Sequence, residues 1–285
     1  MDRTTPVQPN RPLACHPVVA RRRLAVAACA GLLATILLTA APARADAPFT
    51  KDTRNDVEVT IGRDGAVWSV PEYGDPLVAH RVLPGGAVVD VPVPEGANPR
   101  DIAPGLIGDA VWIADLDRVH RVRLDGTVTT VRLPDGVLVD SLEPAADGTV
   151  MWFLASNGIE QPGVVGSIDV AGRVRTRSAG VPVVNSEIGT GPGGSVWASA
   201  GNAVLRIPPD LSVTAIPVGG LATGEPIVGP DGLVWVTVQR TSSSETTIER
   251  YNADGSDAND IFPPAWALYP TPGPDGAVYV AAVRG

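Results

Sequence analysis

The stretch that decides the fold is Gly229-Pro230-Asp231-Gly232-Leu233-Val234-Trp235, because it returns along the chain. Gly273-Pro274-Asp275-Gly276-Ala277-Val278-Tyr279 repeats it almost residue for residue. Looser copies end in Val67-Trp68, Val111-Trp112, Met151-Trp152 and Val196-Trp197. The six aromatic positions are spaced by 44, 40, 45, 38 and 44 residues. Before most of them stands a turn: Asp64-Gly65, Asp147-Gly148, Gly193-Gly194, Asp231-Gly232 or Asp275-Gly276. Asp-Gly suits a tight hairpin because its second position needs positive φ.

Each aromatic is followed by a second apolar patch, such as Val119-His120-Arg121-Val122 or Val204-Leu205-Arg206-Ile207. A third follows, such as Val128-Thr129-Thr130-Val131, often closing near a proline (Pro94, Pro134, Pro217). A fourth short run precedes each turn, as in Val57–Ile61 or Pro226-Ile227-Val228. Four short β-rich runs per unit, at a period near 42 residues, are the pattern of β-propeller blades. The fold class is therefore all-β, a propeller of about six four-stranded blades. The 31 glycines and 28 prolines exclude helical repeats of similar length, and leucine-rich and β-helix repeats are shorter. The sixth anchor strand ends close to Gly285, which leaves the last blade short of strands; Pro48–Lys51 is the expected donor of one.

Residues 1–45 read as a secretory signal peptide, to be removed. Arg21-Arg22-Arg23 is a basic start, Leu24–Ala40 an apolar run, and Ala43-Arg44-Ala45 a small-residue exit before Asp46. A 17-residue apolar run is at the short end of what spans a bilayer, so cleavage is preferred over an uncleaved anchor. A single propeller domain then occupies 46–285, and the location is extracytoplasmic. Both cysteines, Cys15 and Cys29, fall in the leader, so the mature chain has no disulfide and no thiolate ligand. It keeps 16 basic and 30 acidic residues, a net charge of −14. Such a surface repels nucleic acid and acidic membranes and favours cationic ligands. Contact with a membrane is expected only through the leader.

The blade consensus resembles the virginiamycin B (streptogramin) lyase family of propellers, and more distantly the NHL-repeat propellers. The resemblance rests on the two Gly-Pro-Asp-Gly elements above, on Val204-Leu205-Arg206-Ile207, and on Gly126-Thr127-Val128-Thr129-Thr130-Val131-Arg132-Leu133-Pro134. It covers about residues 57–283 and implies the propeller fold. It also implies a lyase that opens a cyclic depsipeptide with a histidine base, acidic partners and magnesium. No position matches the family's catalytic histidines: the mature chain has only His80 and His120, at one repeat position outside the channel-lining strand. That position reads as surface. Asp115 aligns with the glutamate that often ends the family's Trp-Phe-Thr-Glu element.

The first run of each blade is expected to line the central channel. Its opening residues are acidic in five successive blades: Glu58, Asp101, Asp140, Glu187 and Glu225. Converging carboxylates call for a cation, and an oxygen ring suits Ca²⁺ or Mg²⁺, so these five are the candidate metal ligands. Gluconolactonase-type propellers use acids and Asn in this way. Asn98, Asn185 and Tyr269 stand beside the acids as candidate ligand-binding residues. No motif for an organic cofactor is present. The leading expectation is a secreted, binding propeller that takes a small molecule, peptide or protein at its acidic face. The alternative is a metal-dependent lyase or lactone hydrolase.

Overall fold

The computed structural model describes residues 56–71, 77–94, 98–158, 160–183, 186–240, 246–261, 266–273 and 275–283, without the side chains of 56–57, 266–269 and 281–283. The expected leader and the strand expected at Pro48–Lys51 lie outside this set.

The four-run unit becomes a four-stranded antiparallel sheet. Blade one is β1 (Asp56–Ile61), β2 (Val67–Pro71), β3 (Leu77–Val82) and β4 (Val88–Val93). Blade two is β5 (Pro99–Pro104), β6 (Asp109–Asp115), β7 (Arg118–Arg123) and β8 (Val128–Arg132). Blade three is β9 (Leu138–Pro144), β10 (Val150–Ser156), β11 (Val164–Asp169) and β12 (Val174–Ser178).

Blades four and five run together as one five-stranded sheet: β13 (Ile188–Thr190), β14 (Val196–Ile207), β15 (Thr214–Val228), β16 (Val234–Arg240) and β17 (Thr246–Tyr251). Its two long strands change partner midway. Residues 196–198 of β14 pair with β13, and 203–206 pair with β15. Residues 214–217 of β15 pair with β14, while its second half pairs with β16. The place of a fourth strand in blade five is marked by isolated bridges, Ile248 to Ile261 and Tyr251 to Asp257. Blade six is the pair β18 (Trp266–Pro272) and β19 (Val278–Val283).

The inner strands are neighbours in space in the order β1, β5, β9, β13, β15 and β18, and the first five line a common channel. Strand alternation turns each anchor toward the next blade. Trp68 lies in a buried cluster with Ile102, Val111 and Ile113 of blade two. Trp112 packs with Val139, Met151 and Phe153 of blade three. Trp152 packs with Ile188, Val196 and Leu205 of blade four, and Trp197 with Val234, Val236 and Tyr251 of blade five.

The repeat also builds a polar cassette around the aromatic. In blade two, Trp112 Nε1–H donates to Asp109 Oδ2 (2.8 Å), and Arg121, opposite Trp112 on β7, donates to the same oxygen (3.0 Å). The guanidinium lies 4.9 Å from the ring centroid. Asp64–Trp68–Arg81 and Asp231–Trp235–Arg250 repeat the arrangement, with rings 5.6 and 5.8 Å from the guanidinium. In blade three Ser167 stands opposite Trp152 in place of the arginine, and Trp152 Nε1 is buried with no partner. The first glycine of Gly-Pro-Asp-Gly has a steric cause. A Cβ on Gly229 would stand 2.2 Å from Trp235 Nε1, so only glycine lets the ring fold back over the turn.

Candidate functional site in the channel

A cavity of about 590 Å³ opens between the inner strands. All five carboxylates singled out from the sequence line it, and Glu143 joins them as a sixth. Arg100 is the one basic residue of the lining. The inner strands bring the acids together, though not at one register position: Glu58 and Asp101 stand opposite the residue two after the blade's tryptophan, as Ser141 does in blade three, while Asp140 and Glu225 sit in irregular stretches of β9 and β15. Glu143, two residues along β9 from Ser141, shares the inward face. The sign that could have found it is strand alternation from Ser141.

Three of these six acids also bind the neighbouring blade. The Leu142 N–H donates to Asp101 Oδ2 (2.6 Å), and the Thr190 N–H donates to Glu143 Oε1 (3.2 Å). Glu187 accepts from the backbone N–H of Glu225. The Ile188 N–H reaches Ser141 Oγ (3.4 Å) in the same way. Blades two to five are thus clipped along the channel wall by side chains of one blade that accept from the next.

Burial and mutual repulsion raise the proton affinity of the whole ring. Burial first, then the Glu58 charge, push Asp101 up to about 7 against the hydrogen bond from Leu142. Burial, with Glu225 and Asp101 nearby, pushes Glu143 up to about 8. Glu225 rises to about 7 through burial and the Glu187 charge. Glu58 and Glu187 are raised as well, both by burial, and Glu58 also by Glu187 from across the channel. Asp140 is raised by burial, against hydrogen bonds from Ser156 and the charge of Arg100; its Oδ2 is buried without a partner. At neutral pH the channel therefore holds protons.

The acids form a ring rather than a cluster. Among the described residues, no three His, Cys, Asp or Glu side chains stand close enough to hold a metal ion. Of the candidate ligand-binding residues, Asn98 is not brought to the cavity: its backbone N–H donates to Asp115 Oδ1 (2.9 Å) at the start of β5. Asn185 and the side chain of Tyr269 lie outside the described residues.

The reading of the histidine position as surface is corrected at His120, which is fully buried. Its Nε2 meets Asp115 Oδ2 (3.2 Å) and its Nδ1 meets Thr130 Oγ1 (3.0 Å), so both ring nitrogens are satisfied and burial is tolerated. Asp115 is buried in that pair, away from the cavity. His80 is half-buried and meets Asp90 at 2.9 Å.

No family model and no curated protein matches the sequence. Solved structures do match the fold. Virginiamycin B lyase from Staphylococcus aureus superposes with a TM-score of 0.65 at 18% identity, over 82% of this chain and 79% of that one. A streptogramin B lyase gives 0.63 at 20% identity, over 80% and 76%. A protein described as a candidate 6-phosphogluconolactonase, from Bacteroides uniformis ATCC 8492, gives 0.55 at 17% identity, over 79% and 77%. At these identities the likeness is one of architecture: the chain has the virginiamycin B lyase-like propeller fold.

Proposed function

We propose that the protein is a secreted binding propeller whose channel takes a cationic group of a small molecule or peptide. The observation that carries this reading is the ring of six carboxylates, faced by one arginine, around a single cavity. Opposed carboxylates that cannot all ionise when the cavity is empty gain from any cation that lets them do so. Their spread around the wall favours an extended organic cation over a single metal ion. Calcium or magnesium is the second ligand to try.

The test is calorimetric titration at pH 8 with spermidine, with an arginine-containing peptide, and with Ca²⁺ or Mg²⁺. The expected result is saturable binding of an organic cation, with protons released to the buffer. Glu187→Gln/Glu225→Gln abolishes it. No saturable binding by any of these cations, or binding unchanged in the double variant, overturns the reading.

An enzymatic reading has one observation in its favour. Asp101, Glu143 and Glu225 sit near neutrality, where a carboxyl can act as general acid or base. Opening of quinupristin, or hydrolysis of a lactone, that is lost in Glu143→Gln would establish it.

A further inference from the structure

His120 and its two partners make a constellation that the channel does not use. Asp115, His120 and Thr130 stand on three adjacent strands of blade two, β6, β7 and β8. The Asn98 N–H donates to Asp115 Oδ1 (2.9 Å), which fixes the carboxylate. Asp115 Oδ2 faces His120 Nε2 (3.2 Å), so this nitrogen carries the ring proton. Nδ1 of the neutral ring is then an acceptor, and the Thr130 hydroxyl donates to it (3.0 Å). Asp115 is 2% and His120 0% exposed, whereas Thr130 is exposed. A buried carboxylate and a buried imidazole thus lead to a hydroxyl at the surface.

The sheet register explains the closeness. The Arg123 N–H donates to the Thr127 carbonyl (2.9 Å), and the Leu133 N–H to that of Asp117 (2.8 Å). The hydrogen-bonded pairs of β7 and β8 are therefore the odd-numbered ones. His120–Thr130 is a pair of the other kind, whose side chains stand closest. In such a pair the backbone groups point away from the partner strand. β8 is the last strand of its sheet, so the Thr130 N–H points outward from the edge. Arg118 and Arg132 form the next pair of this kind on the same face. Other blades lack one part or another. In blade one the position opposite His80 is Asp90, which brings no hydroxyl. In blade three Thr176 brings the hydroxyl, but Gly166 stands opposite.

We propose that Thr130 is an acyl acceptor for activated esters and acyl phosphates, with His120 as its base and Asp115 positioning the imidazole. The parts are nucleophile, general base and orienting carboxylate, with the two ring nitrogens exchanged relative to the serine-protease arrangement. Thr130 Oγ1 attacks the acyl carbon while its proton passes to His120 Nδ1. Asp115 stabilises the imidazolium, and the outward Thr130 N–H is a donor for the oxyanion. The bond to the leaving group breaks, the leaving oxygen keeps the electron pair, and His120 returns the proton to it. A threonine ester remains. Arg118 and Arg132 favour a leaving group that carries negative charge, as phosphate does. His120 is wholly buried and has no water to activate against the new ester, so the acyl group should stay on the chain.

Peptide mass spectrometry of the full chain, after treatment with acetyl phosphate and separately with 4-nitrophenyl acetate, tests the proposal. Thr176 is the internal control, since it holds the same exposed repeat position without a histidine. At least one of the two reagents should acetylate Thr130 roughly a hundredfold faster than Thr176. Asp115→Asn, in a chain whose circular dichroism is unchanged, should lower that ratio by roughly tenfold or more. Thr130→Ser should be labelled at least as fast as the unaltered chain, because its hydroxyl is less crowded. Equal labelling of Thr130 and Thr176 in the unaltered chain by both reagents overturns the proposal. So does fast labelling of Thr130 that persists in Asp115→Asn, which would assign it to exposure alone.

Discussion

The seam between blades two and three and the seam beyond blade six are built from the same repeat and end differently. In the first, Trp112 is fully buried, Asp109 and Arg121 lock its ring, and Arg121 Nη1 reaches across to the Val170 carbonyl (2.9 Å). In the last, Tyr279 keeps only the local part of the cassette, a hydroxyl donating to Asp275 (2.8 Å), and its ring faces solvent. Between these extremes Trp235 is half-buried. The anchor motif thus sets a direction and a turn, but its energetic worth comes from the neighbouring blade. One motif can hold a seam shut at one place and present an exposed ring at another.

The most direct way to break the comparison is truncation at both ends. Trp112→Ala removes a wholly buried indole from a cluster that joins two blades. It should cost about 3–5 kcal/mol in denaturant unfolding. Tyr279→Ala should cost well under half of that. Equal losses would show that the last seam is as well packed as the second.

The cassette acid sharpens the same contrast. Asp109→Ala leaves Arg121 buried without its carboxylate and the Trp112 N–H without an acceptor, which should cost about 3 kcal/mol or more. Asp275→Ala takes one hydrogen bond from an exposed tyrosine and should cost about 0.5–1 kcal/mol. Urea midpoints of the two variants, compared at constant m-value, decide it.

The propeller was legible because six anchors, four of them preceded by Asp-Gly turns, recur at a period near 42 residues, and a period reports architecture without reference to contacts. The five channel acids were legible because an acid recurs near the start of the inner strand in five successive blades, although Asp140 and Glu225 are out of register with Glu58 and Asp101. Glu143 was not, because it stands at a different position of its strand and has no counterpart in the other blades. His120 was misread because its burial depends on Asp115 and Thr130, partners that only the folded sheet brings to its two nitrogens. The clipping role of Asp101 and Glu143 was hidden too, since the N–H groups they accept from lie 41 and 47 residues away. The joined sheet of blades four and five reflects strands that continue through Gly201 and Gly219-Gly220.

The acids that clip blades two to five tie pH to the closed part of the ring. Their folded-state proton affinities lie above those of ordinary carboxylates. The folded protein therefore binds more protons than the unfolded chain between about pH 4 and 8, the range from ordinary carboxyl values to that of Glu143. Stability should fall as pH rises through 7 to 8, and the thermal midpoint should drop by a few degrees between pH 5.5 and 8.5. Spermidine should reverse the drop, and Glu143→Gln should flatten it. Hydrogen-exchange protection, corrected for the intrinsic rise of exchange with pH, should fall with pH at the seams of blades two to five and not in β18 and β19. A midpoint that rises over this range would mean that the ring is ionised and already compensated.

The smallest effect expected isolates the cassette from the packing around it. Trp112→Phe and Trp152→Phe remove similar volume from similarly buried sites, but different hydrogen bonding. At Trp112 the indole N–H satisfies Asp109, so its loss removes a charge-assisted bond inside a buried network. At Trp152 the N–H has no partner, because Ser167 replaces the arginine, so phenylalanine there removes an unsatisfied donor along with the ring volume. Trp112→Phe should therefore be the more costly by about 1 kcal/mol or more. Equal cost would locate the value of the anchor in its apolar volume alone. The cassette would then serve to orient the ring toward the next blade, with little hold on it once it is there.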